Sequence, residues 1–199
     1  MMATTHVLAG MLLGLAVAPL APDAATPVVL AGAVGGLAPD LDAVRNHRRD
    51  LHFPVYATAL ALAALPVAAL TRSAAGALVA AFLGAGALHA ATDALGGGRS
   101  LRPWAETVDR AVFCHAQGRW WRPRRLIPYD GAPADLALAI CLALPVVVLV
   151  DSPSLRWLVG GLVAVSAGYA LVRRRVPDLV AHLDDRLRSR QGGRGRTRN

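Results

Sequence analysis

Lysine is absent and cysteine nearly so. All 21 basic side chains in the 199 residues are arginine, and the two cysteines, Cys114 and Cys141, stand far apart with no Cys-x-x-Cys pairing. A zinc–thiolate site, which needs several cysteines at short spacing, and a disulfide framework, which needs more than two cysteines, are both excluded. A basic region ahead of the first apolar run is also missing. Met1-Met2-Ala3-Thr4-Thr5-His6 has none, and residues 7–22 contain no convincing cleavage site, so no cleavable signal peptide is expected. Charge of either sign is sparse. Charged residues make up 17% of the chain against 55% hydrophobic, with a mean hydropathy of +0.44, which is too apolar for a soluble domain of this length.

The apolar residues come in six blocks, at 7–19, 27–37, 54–70, 74–95, 134–150 and 155–172. Several are shorter than the roughly 20 residues needed to cross the hydrocarbon core upright, and the first two are the weakest. The pattern predicts an all-α polytopic membrane bundle. Four spans are expected together with a short N-terminal helical hairpin packed against them, up to six crossings in all. A membrane domain over 1–176 is followed by a basic tail over 177–199. Within the tail, 177–188 reads as an amphipathic helix on the membrane surface and the stretch from Gln191 as disordered.

The net charge of +8 invites a nucleic-acid reading, which the positions of the arginines remove. Arg45, Arg48 and Arg49 lie between blocks two and three. Arg99, Arg102, Arg110, Arg119, Arg122, Arg124 and Arg125 lie between blocks four and five, and nine more follow block six, whereas only Arg72 and Arg156 fall in the intervening loops. With six crossings this alternation puts nearly all the arginine on one side. By the positive-inside rule that side is cytoplasmic, both termini included, in an inner (cytoplasmic) membrane. Membrane lipids are the expected partners, no specific nucleic acid is predicted, and no residue points to a protein partner. The loop between blocks four and five adds Trp104, Trp120 and Trp121, suited to the membrane interface, while residues 121–131 acquire no role from the sequence.

Within this apolar chain, His89-Ala90-Ala91-Thr92-Asp93 places an imidazole and a carboxylate on one helix face inside a membrane-spanning block. Ionisable groups there are costly and mark function by default. The arginine-derived topology brings His6, Asp40, Asp42, His47 and His52 to the same membrane face and depth as His89 and Asp93, so one shared site is expected. Neutral imidazoles with carboxylates suit Zn²⁺ first, with Mn²⁺ or Fe²⁺ as alternatives. Asp40, His52, His89 and Asp93 would hold a first ion, and His6 with Asp93 as a bridge a second. Asp42 is expected as an orienting group or general base. Arg48, Arg49, Arg99 and Arg102 are candidates to hold a phosphate or carboxylate.

Thr5-His6, Gly35-Gly36-Leu37-Ala38-Pro39-Asp40-Leu41-Asp42, His47-Arg48 with His52, and His89-x-x-x-Asp93 follow one another in an order that resembles the YdjM-type family, also described as LexA-binding, inner-membrane-associated hydrolases. The resemblance covers roughly the first half of the chain and implies a membrane-bound metal-dependent hydrolase. The family is in turn similar to zinc-dependent phospholipase C and S1–P1 nuclease, all-helical enzymes with a metal cluster. On that similarity His6, Asp40, His52, His89 and Asp93 match ligand positions, with Asp93 bridging. The pattern departs after Cys114-His115, where no His-x-x-x-Glu follows, so one or two ions are implied rather than three.

Blander readings stand beside these. His89 and Asp93 can hold helices together by a hydrogen bond, and Asp40 and Asp42 can serve as helix caps. His115 and His182 read as solvent-facing, and Glu106, Asp109, Asp130 and Asp135 as loop-solvating or capping residues. The expected function is hydrolysis of a phosphoester, lipid or lipid-linked, by a metal-activated water. The alternative is a scaffold or regulator with a structural metal site. An ion-coupled transporter fits less well, since no second polar constellation stands across the membrane.

Overall fold

The computed structural model describes residues 1–195. Seven helices follow in order: α1 (Ala3–Val17), α2 (Ala25–Leu37), α3 (Pro54–Thr71), α4 (Ala74–Thr92), α5 (Pro133–Leu149), α6 (Pro153–Val172) and α7 (Val176–Gly195). The only sheet among the described residues is one antiparallel pair, β1 (Phe113–Cys114) with β2 (Arg119–Trp120). The molecule is an all-α membrane helical bundle, as the hydrophobic blocks predict.

The spans differ from expectation in which of them are long. Among the described residues, five segments are long and apolar enough to cross a membrane: Ala3–Leu20, Pro22–Val44, Pro54–Thr71, Ala74–Leu95 and Pro153–Leu183. The first two, expected to be the weakest, reach that length because 3-10 turns at Ala18–Leu20 and Ala38–Val44 prolong α1 and α2. The shorter apolar helix is Pro133–Leu149, which the hydrophobic pattern counts as a full span. At the C-terminal end α7 covers the expected amphipathic stretch and continues to Gly195, past Gln191 where the tail was expected to lose structure. The last residues of that tail, 196–199, lie outside the described residues.

Small residues let the first helices approach closely. A β-carbon on Gly10 of α1 would sit 2.1 Å from the Gly32 carbonyl oxygen of α2, and one on Gly32 would sit 2.1 Å from that of Gly10. Without a hydrophobic force between helices in lipid, such van der Waals contact is a main source of association. Leu8 and Met11 of α1 join Val29 of α2, Ala139 and Val146 of α5, and Leu155 and Val159 of α6 in one core. A second, alanine-rich core joins α1 and α2 to Ala68 of α3 and Ala77, Ala80 and Ala81 of α4. Leu60, Leu62, Leu65, Val67 and Leu70 of α3 remain exposed, an apolar face suited to lipid and not to water.

Asp135 organises the end of the bundle that carries Met1. It accepts hydrogen bonds from the Met2 amide (2.7 Å), the Thr5 hydroxyl (2.8 Å) and the Gly131 amide (3.0 Å), and is fully buried. It ties the start of α1 to α5, so its expected role as a loop-solvating residue or cap is replaced by a long-range one. Asp130 likewise turns inward, pairing with Arg173 Nε (2.8 Å) and Nη2 (2.9 Å) and accepting from the Tyr169 hydroxyl. Residues 121–131, silent in the sequence, pin the end of α4. The amides of Arg124, Arg125 and Ile127 donate to the carbonyls of Ala94, Gly96 and Leu95.

Candidate metal centre

His6, Asp40, Asp42, His47, His52, His89 and Asp93 meet in one cluster at this end of the bundle. His6 projects from the first turns of α1 and stacks on the His89 ring, centroids 3.7 Å apart, with its Nε2 3.2 Å from Asp93 Oδ1. The stack is possible because Gly36 crosses His6 closely; a β-carbon there would fall 2.3 Å from the His6 carbonyl oxygen. Asp93 sits one residue past α4, at the start of a 3-10 turn, and its Oδ2 is 3.7 Å from His89 Nε2. The Met1 amine lies 3.4 Å from Asp93 Oδ1.

Asp42 builds the loop that delivers His52. Its buried carboxylate accepts from His47 Nδ1 (3.0 Å), the amides of Arg48, Arg49 and Leu51 (3.2 Å each) and His52 Nδ1 (2.9 Å). Five donors on two oxygens fold residues 45–52 around one side chain and settle which His52 nitrogen carries the proton. His89 is settled in the same way, because its Nδ1 stands 2.6 Å from the Gly36 carbonyl, which can only accept.

Each ring, with its proton on Nδ1, presents a lone pair from Nε2. These two atoms face one another at 3.2 Å. Asp40 Oδ1 lies 3.4 Å from His89 Nε2 and 4.0 Å from that of His52, and Asp93 Oδ2 lies 3.2 Å from His52 Nε2 with no hydrogen-bond donor of its own. Two imidazole lone pairs and two carboxylate oxygens thus converge in a largely buried space. Such a set of acceptors repels itself unless a cation or a shared proton lies among them. Two triads have ligand atoms within 4.8 Å of one another, Asp40–His52–His89 and His6–His89–Asp93, with His89 common to both. The residues fit a divalent ion, of a kind that takes nitrogen and oxygen ligands.

His6, His52, His89 and Asp93 are buried, and Asp40, 20% exposed, opens into a cavity of about 770 Å³. Arg48 and Arg99 line that cavity and Arg49 and Arg102 do not. Arg49 lies over the Phe113 ring and Arg102 pairs with exposed Asp178. His47 is half-buried against Asp42 at the cavity edge. His115 is not solvent-facing; it packs between Phe53 and Phe113. Ser100, whose buried hydroxyl has no partner, also lines the cavity and is invisible in the sequence because a lone serine carries no spacing signal. Asp130, Tyr169 and Arg173 line it as well.

The fold and the cluster together define a multi-pass α-helical membrane protein with a histidine–aspartate centre at one end of its bundle. Within that class the chain belongs to a particular family, YdjM inner membrane protein, whose model matches residues 1–176. No curated protein and no solved structure matches the chain.

Proposed function

We propose that this chain is a membrane-bound, metal-dependent hydrolase acting on a phosphoester of a lipid or lipid-linked substrate. The observation that carries the reading is the convergence of His52 Nε2, His89 Nε2, Asp40 Oδ1 and Asp93 Oδ2, four acceptors beside an open cavity. Zn²⁺ is the ion proposed, with Mn²⁺ or Fe²⁺ as alternatives. A structural site is closed by its ligands, whereas a catalytic one keeps a side open to substrate, and Asp40 supplies that side here. A divalent ion held there supplies Lewis acidity and a water of lowered pKa. The phosphoester class rests on the resemblance of His6, Asp40, His52, His89 and Asp93 to the ligands of zinc-dependent phospholipase C and S1–P1 nuclease.

The chain's own residues divide the remaining work. His52 and His89 point lone pairs inward because Asp42 and the Gly36 carbonyl hold their other nitrogens. Asp42 is a positioning residue, since both of its oxygens are already taken by donors from its own loop. Overall, the oxygen of one water bonds to phosphorus, the P–O bond to the alcohol breaks, and the alcohol leaves with the water's proton. The arginine distribution supports a cytoplasmic position for this end of the bundle, with both termini. A scaffold with a structural ion is the second reading, favoured by the burial of His6, His52, His89 and Asp93.

Metal analysis of the purified protein against His89→Ala and Asp93→Ala tests the centre. Loss of metal with retained folding is expected, and unchanged metal content would sink it. A phosphodiester and phosphomonoester screen of the metal-loaded protein then separates the readings. Inactivity on every substrate, with metal retained, rejects the hydrolase and leaves the scaffold.

A further inference from the structure

Among the arginines of the 770 Å³ cavity, one is anomalous. Arg173 is fully engaged, its Nε, Nη1 and Nη2 donating to Asp130 and the Leu101 carbonyl. Arg99 lies over the Trp120 ring, 5.7 Å from its centroid. Arg48 is only 7% exposed, yet neither its Nε nor its Nη1 has a hydrogen-bond acceptor, although Nε stands 3.3 Å from Asp93 Oδ2. A buried guanidinium with unmatched N–H groups is costly unless an acceptor arrives. The position is also held under strain. Its backbone has φ +64°, fixed between the Asp42 carboxylate on its amide and the Phe113 amide on its carbonyl. Ser100, with its own buried and unpartnered hydroxyl, stands in the same cavity wall.

We infer that this cavity binds a membrane-resident alkyl phosphate, its phosphate oxygens held by Arg48 and Ser100 and its chain lying along Leu101, Val165 and Val176. An oxyanion that meets Arg48, Ser100 and a cation beside Asp40 at once needs oxygens directed three ways. Tetrahedral phosphate has them and a planar carboxylate does not. A phosphate group displaces only a few waters of about 30 Å³ each, so the headgroup leaves most of the cavity for another part of the ligand. Beside the Asp130–Tyr169–Arg173 group the wall has an apolar, open stretch at Leu101, Val165 and Val176. Leu101 is 50% exposed and Val165, on α6, is 61% exposed, so the chain leaves toward the lipid-facing side of that helix. The inference rests on the proposed site but concerns binding, which can be measured without turnover.

The test uses the full chain in nanodiscs of zwitterionic lipid, loaded with zinc, and two non-hydrolysable probes, n-dodecylphosphonate and ethylphosphonate. Wild type is expected to bind both, and Ser100→Ala and Arg48→Lys to weaken both by about tenfold, the loss of one hydrogen bond to a charged group, with zinc content unchanged. Val165→Trp, which fills the chain path, is expected to weaken dodecylphosphonate alone. Comparing variants in the same nanodiscs cancels partition into the lipid. Should Arg48→Lys fail to fold, Ser100→Ala carries the headgroup test. Wild-type affinity for both probes in Ser100→Ala overturns the headgroup assignment, and unchanged dodecylphosphonate binding in Val165→Trp overturns the chain path. Binding as expected in a protein that hydrolyses nothing would defeat the hydrolase reading and leave this inference standing. Phosphoester hydrolysis with normal probe binding in the headgroup variants would do the reverse.

Discussion

Replacing Asp42 with asparagine exchanges one carboxylate oxygen for an amide NH₂ at the point where five donors converge. The better amide orientation keeps oxygen at the Oδ2 position, preserving the contacts to Arg49, Leu51 and His52. The NH₂ then faces the Arg48 amide, whose hydrogen bond is lost, and His47 Nδ1, whose bond survives only if that ring moves its proton to Nε2, so up to two of the five hydrogen bonds are lost. At about 1 kcal/mol each, with the other three no longer made to a charged acceptor, the loop loses roughly 2–3 kcal/mol. The consequence for function passes through His52. A neutral amide holds its Nδ1 proton less firmly, and the lone pair on Nε2 is less basic and less well aimed. Loss of such an orienting group weakens metal binding by about 10–100-fold, or roughly 1.4–2.7 kcal/mol. Competition against a chromophoric zinc chelator reads that change directly, with thermal unfolding in detergent as the parallel measure of stability. A folded Asp42→Asn protein with wild-type zinc affinity would refute the idea that Asp42 sets the His52 lone pair.

Asp135→Ala leaves the Met2 amide, the Thr5 hydroxyl and the Gly131 amide without their acceptor. At about 1 kcal/mol or more per stranded donor, a loss of at least roughly 3 kcal/mol is expected as a lower Tm, and an unchanged Tm would contradict it. Gly10→Ala drives a β-carbon to 2.1 Å from the Gly32 carbonyl oxygen, so α1 and α2 must separate. A sharp fall in monodisperse protein on size-exclusion chromatography is expected, and normal yield and stability would show that the helices tolerate the shift. For orientation, a C-terminal green fluorescent protein fusion is expected to fluoresce and an alkaline phosphatase fusion to be inactive. The opposite pair of results would reverse the sidedness taken from arginine.

Hydrophobic blocks and arginine positions are local properties of a chain, and a bilayer reads them locally. For that reason the helices, their succession and the gathering of His6, Asp40, His52, His89 and Asp93 at one end were legible before any packing was known. Helix length was less so. The 3-10 turns over Ala18–Leu20 and Ala38–Val44 lengthen the spans that hydropathy ranked lowest. What a side chain does at the site depends on partners remote in sequence. Asp42 read as a cap, an orienting group or a base, with nothing to decide among them until residues 45–52 folded around it, and Asp135 as a cap or loop-solvating residue until Met2, 133 residues away, brought its amide to it. Arg48 and Arg49 are neighbours of identical type, yet one is buried beside Asp93 and the other lies over Phe113. Hydrophobic blocks carry the succession of membrane helices because each segment partitions largely on its own terms. The orientation of each imidazole, and which arginine keeps unmatched donors, belong to the tertiary structure, because a buried polar group is defined by every acceptor and donor that surrounds it.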